Sequence, residues 1–131
     1  MPRKTDAGNP RDWLHLAGSD LDAVQTLVER QVAFPVCCSK LAEALEKLLK
    51  AQLIAHGWRL RKVHDLQALR EDLEGHAPQQ AEALRAVVDE LADSYTEARY
   101  PGFDVADDDW PQVQKLLLQV QHYRRDLAAE L

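Results

Sequence analysis

Cys37 to Leu66 reads CCSKLAEALEKLLKAQLIAHGWRLRKVHDL, and this stretch decides the fold. Cys38, Leu41, Leu45, Leu48 and Ala55 recur with a helical period, interrupted by the polar Gln52, and a second stripe is formed by Ala42, Leu49 and Leu53. A helix apolar on more than one face belongs at the centre of a bundle. Glu43 with Lys47 and Glu46 with Lys50 are spaced as ion pairs in the acid-first order, each adding about 0.2–0.5 kcal/mol to the helix. Gly57 stands where a left-handed residue would end it. A basic loop, GWRLRKV, follows, and His64-Asp65-Leu66 opens the next helix.

On the N-terminal side, Asn9 is a good N-cap and Pro10 suits the first helical position, with Asp12 adding favourable charge in the first turn. The first helix should run from Pro10 to about Gln31, burying Trp13, Ala17, Leu21, Val24 and Leu27/Val28, with His15 at the surface. Residues 1–8 are expected to form a flexible tail. Phe34-Pro35 makes the turn, and Pro35 opens the second helix.

On the C-terminal side, Asp65 can cap a third helix ending near Glu74, with Leu66, Leu69 and Leu73 facing inward. Pro78 begins a fourth, whose stripe is Leu84, Val87/Val88, Leu91, Tyr95 and Ala98. Arg99-Tyr100-Pro101-Gly102 breaks it, because the residue before a proline is pushed out of the helical region. An acidic linker, Asp104–Asp109, caps a fifth helix with the stripe Val113, Leu116/Leu117, Val120, Tyr123 and Leu127. No repeat, strand pattern or glycine-rich phosphate loop intervenes. The expected fold is a single all-α domain over residues 1–131, an up-and-down bundle of about five helices.

Composition narrows the function. A 46% hydrophobic, 29% charged chain is ordinary for a globular protein. No apolar run approaches the roughly 20 residues of a membrane span, and the N-terminus lacks an apolar signal segment, so the expectation is a cytoplasmic protein without a membrane partner. Cys37 and Cys38 diverge as neighbours on a helix and read as small packing residues. No cysteine and histidine spacing matches a zinc site: His56, His64 and the two cysteines lack the geometry, and neither metal nor cofactor is expected. The formal net charge of −6 disfavours indiscriminate nucleic-acid affinity. From Lys40 to His64, however, six bases (Lys40, Lys47, Lys50, Arg59, Arg61 and Lys62) face two acids (Glu43 and Glu46). A basic patch on an acidic body fits a selective anion site or an acidic partner, and a solvated loop is the plainer alternative.

The central stretch CCSKLAEALEKLLKAQLIAHG followed by HDLQAL resembles the HEPN family of small helical proteins, as do DWLHLAGSDLDAV at Asp12–Val24 and SYTEARYPG at Ser94–Gly102. The resemblance covers most of the chain. It implies a homodimeric helical module working beside a small nucleotidyltransferase, as part of a bacterial toxin–antitoxin or defence pair. It also directs attention to Arg59-x4-His64, since ribonuclease branches of the family cleave RNA without metal using an Arg-x4–6-His motif paired across a homodimer. There a histidine acts as general acid or base at the ribose 2′-OH and an arginine stabilises charge on the phosphorane.

The motif by itself decides nothing: Arg70-x5-His76 also satisfies the spacing. Read from its position, His64 is a capping or packing residue at the start of a helix, and catalysis by Arg59 and His64 is the alternative. In a binding module, Lys50, Arg59, Arg61, Lys62 and His64 are the candidate ligand contacts. A second constellation, Tyr95, Arg99 and Tyr100, could stack on a base or clasp a phosphate, or simply close a helix end. Trp58 and Trp110 flank loops and are candidate interface anchors. Three readings follow: a non-enzymatic module binding a nucleotide or RNA, a ribonuclease toxin, and an architectural dimer without a ligand.

Overall fold

The structure, a computed structural model, describes residues 3–94, 97, 101–102 and 107–131. Among them it is entirely helical: α1 (Pro10–Arg30), α2 (Phe34–Ala55), α3 (Leu66–Glu74), α4 (Pro78–Ala83), α5 (Arg85–Leu91) and α6 (Trp110–Glu130). Among the described residues, no helix is long and apolar enough to cross a membrane. The Tyr95, Arg99 and Tyr100 constellation lies outside the described residues.

The two-sided apolar pattern of α2 puts it at the centre. Leu41, Leu45, Leu48, Leu49 and Leu53 are all fully buried, and α1, α3, α5 and α6 all pack against it. The other stripes behave as their period predicts: Ala17, Leu21, Val24 and Val28 from α1, Leu66, Leu69 and Leu73 from α3, and Val113, Leu116, Leu117, Val120, Tyr123 and Leu127 from α6 are buried. Leu14 joins them, while Trp13 and Leu27 lie partly buried at the core's edge. Phe34 already belongs to α2, and its ring meets Trp110 edge-on at 5.2 Å, joining the starts of α2 and α6.

The fourth helix differs from expectation. Its described part divides into α4 and α5 at Leu84, whose φ of −89° and ψ of −6° leave the helical track. On both sides of that break Ala81, Leu84, Val87, Val88 and Leu91 are buried in the core. Ion pairs also depart from sequence spacing: Lys47 reaches across to Asp20 of α1, and Glu43 accepts from Lys40. Lys47 therefore ties two helices together instead of supporting one.

Residues 3–8, expected to fray, fold back on the start of α1. Arg3 donates to both carboxylate oxygens of buried Asp12, the Asp6 amide donates to the same group at 2.8 Å, and the Trp13 indole donates to the Ala7 carbonyl. The hydrogen bonds from Arg3 and then from Asp6 hold the Asp12 carboxyl at about 2, below its ordinary 3.8. A lowered native value stabilises the fold above the ordinary value and loses that contribution as pH falls through the native one. Between pH 3.8 and about 2, the urea midpoint of the wild type should therefore fall more steeply than that of Asp12→Asn; parallel curves would mean that the pair does not form in solution.

Candidate anion-binding site

The basic loop owes its position to how α2 ends. Gly57, at φ +88°, provides the left-handed turn; the Trp58 amide returns to the Leu53 carbonyl and the Gly57 amide to Ile54, closing the helix end in a Schellman motif. At the far side of the loop, the Asp65 carboxylate accepts from the amides of Gln67 and Ala68 and starts α3. The seven residues 58–64 thus run between two fixed points.

Within the loop some side chains are tethered and others are exposed. Trp58 donates its indole N–H to Asp72 of α3 at 3.3 Å. Arg61 donates to the same carboxylate at 2.5 Å, and its guanidinium lies 5.6 Å from the centre of the Trp58 ring. Val63 packs against the core. Arg59, Leu60 and Lys62 are exposed, and neither Arg59 nor Lys62 has an acidic partner among the described residues. Arg59 and Arg61 line a shallow depression of about 300 Å³ with Trp58, Asp72 and His76.

The other predicted contacts are arranged differently. Lys50 is 4% exposed; its ammonium lies 3.2 Å from Glu46 and 5.5 Å from the Trp13 ring centre. Its charge is absorbed inside the bundle. His64 is outside, with Nδ1 3.2 Å from the same Glu46 carboxylate, so that nitrogen donates and Nε2 is left to solvent. Arg59 and His64 do not line a common depression among the described residues. The competing spacing, Arg70 and His76, is also separated by burial: Arg70 is 3% exposed, donating to Glu74 and to the Ala81 carbonyl. That arginine braces α3 against α4.

His76 was not marked as a contact by the sequence pattern. It enters the site by stacking on His56 from the end of α2, ring centres 5.6 Å apart. Only a contact between separate loops could reveal it. A larger depression, 710 Å³, lies between α1 and α6 and includes His15, Arg124 and Arg125. There the absence of a side chain at Gly18 lets Arg124 lie across α1 and donate to the Leu14 carbonyl. The role of Arg124 in that contact is to join helices.

Cys37 is buried and its thiol points at the Val32 carbonyl; Cys38 is partly buried, and burial pushes its thiol up to about 11. Both remain thiols, with little thiolate for chemistry at neutral pH. No group of three histidine, cysteine, aspartate or glutamate side chains able to hold a metal ion occurs among the described residues.

The family model for the HEPN domain matches residues 10–123. The chain belongs to the HEPN domain family. Searches among curated proteins and among solved structures found no significant match. The HEPN match runs from the first residue of α1 into α6, so it includes the central helix and the whole basic loop.

Proposed function

We propose that this HEPN chain binds the phosphates of a nucleotide or RNA through the loop after α2, with Arg59 and Lys62 as the principal contacts and Arg61 fixed beside them. The observation that carries this reading is the freedom of Arg59: on a molecule of net charge −6, it lines a depression with Arg61 and His76 and has no acidic partner among the described residues. An arginine fork without an acidic partner among the described residues suits a phosphate, and the exposed Lys62 lies on the same loop. Trp58 offers an edge against which a base or sugar can rest. Lys50 serves the site indirectly by holding Glu46, which holds His64. The protein acts as a homodimer beside a small nucleotidyltransferase, in a bacterial toxin–antitoxin or defence pair.

A second reading, metal-independent RNA cleavage by Arg59 and His64, is supported by one contact. The Glu46 carboxylate orients the His64 ring, leaving Nε2 exposed for proton transfer.

Titrating fluorescein-labelled single-stranded RNA in EDTA addresses both readings. Charge reversal at Arg59→Glu with Lys62→Glu should weaken binding at least about tenfold and flatten the salt dependence by roughly two phosphate contacts. Unchanged affinity would reject phosphate binding by the loop. RNA cut by the wild type but not by His64→Ala would select the nuclease; RNA left intact at high protein concentration excludes it. Light scattering of the same sample rejects the dimer if the mass is near 14.8 kDa.

A further inference from the structure

A second depression, of about 450 Å³, adjoins the basic one across the stacked His56 and His76 rings. Gln52 of α2, His56, Gln80 at the start of α4 and Glu130 at the end of α6 are among its lining residues. Gln52 is 4% exposed, a buried amide in the middle of a leucine-rich helix. Its carbonyl accepts the hydroxyl of Tyr123, itself 4% exposed, at 2.5 Å. Burial, with a smaller contribution from the negative charge of Glu130, pushes the Tyr123 hydroxyl well above its usual value, so it stays a donor. A donor there requires the amide oxygen to face it. Gln52 lines the depression, its oxygen is committed to Tyr123, and its NH₂ has no partner among the described residues. The Glu130 carboxylate, which lines the same depression, is likewise without an ion-pair partner among the described residues.

A fixed donor and a free carboxylate lining one depression are complementary to a group that offers an acceptor next to two donors. Among nucleobases, guanine does so along its Watson–Crick edge: O6 can accept from Gln52, while N1–H and the 2-amino group donate to the two oxygens of Glu130. Adenine places an unprotonated N1 against the carboxylate, and uracil places O2 there, so each sets a lone pair against negative charge. We propose that this depression is a guanine-selective base site, with the phosphate of the same nucleotide held across the histidine pair by Arg59. The inference rests on the anion reading given above and adds to it the identity of the base.

The experiment is a titration of the full ¹⁵N-labelled chain with GMP, AMP, UMP and inorganic phosphate in turn, followed by NMR. GMP should shift the Gln52 side-chain amide pair and bind at least about tenfold more tightly than AMP or UMP, the discrimination of one good bidentate contact. Glu130→Gln, an exposed substitution, should bring GMP and AMP to within about twofold of one another. Phosphate alone should move the Arg59 loop and leave the Gln52 side chain still. If GMP, AMP and UMP shift the loop equally and the Gln52 amide not at all, the guanine site is rejected and the phosphate reading survives. If Gln52 responds to GMP but Arg59→Glu does not alter the affinity, the base site stands without the phosphate arm and the joint placement is overturned. No response to GMP at millimolar concentration rejects the base site outright.

Discussion

Leu49→Ala should destabilise the protein by about 2–5 kcal/mol, through the lost transfer of the deleted carbons and the cavity they leave. Leu49 belongs to the second apolar stripe of α2 and is fully buried. On a surface helix with one apolar face, a residue at that register would be half exposed and its truncation mild. The effect is large against a typical domain stability of about 5–15 kcal/mol. Leu118→Ala is the control, since Leu118 is 64% exposed; a change beyond roughly 0.5 kcal/mol there is unexpected. Urea denaturation measures both. A loss below about 1 kcal/mol for Leu49→Ala, with an unchanged denaturant slope, would contradict the central placement of α2.

Glu46→Leu should cost about 3–5 kcal/mol, because it strands a buried ammonium. The Lys50 side chain is 5% exposed and Glu46 is its carboxylate partner. The Trp13 face, 5.5 Å away, remains, but a ring quadrupole contributes only about 0.5–2 kcal/mol. Removing both charges tells a different story: Glu46→Leu with Lys50→Met should return to within about 1 kcal/mol of the wild type, since an apolar pair of similar volume needs no desolvated partner. A double-mutant cycle would then give a coupling of several kcal/mol. Simple additivity of the two single substitutions would show that Lys50 reaches water when Glu46 is gone. The same substitution frees His64, whose Nδ1 contacts Glu46, so a nuclease dependent on His64 should lose activity in the double variant even though the fold is restored.

Both expectations start from patterns visible along the chain, yet they differ in how much of them could be read there. The burial of Leu49 follows from period alone. The burial of Lys50 does not: at its spacing from Glu46 it looks like a solvent-facing pair, and its contact with Trp13 depends on where α1 lies. Gln52 is similar. In the helical stripe it looks like an interruption; in the folded protein it is the acceptor for Tyr123, 71 positions away. Arg70 occupies a buried position in α3 because Glu74 and the Ala81 carbonyl can reach it, and no local rule predicts the second of these.

What the sequence determined by itself is the helices apart from the division of the fourth at Leu84, most of their caps and the buried stripes, because periodicity, glycine and proline stops and side-chain capping act over a few residues. It also established that positive charge gathers between α2 and α3. Only the tertiary structure decided which of those charges remain available. Lys50 went inward to Glu46 and Arg61 was tied to Asp72, while Arg59 was left open beside a histidine from another loop. The physical reason is that an ion pair or a depression depends on distances of a few ångströms between separate elements, which packing sets and sequence spacing does not.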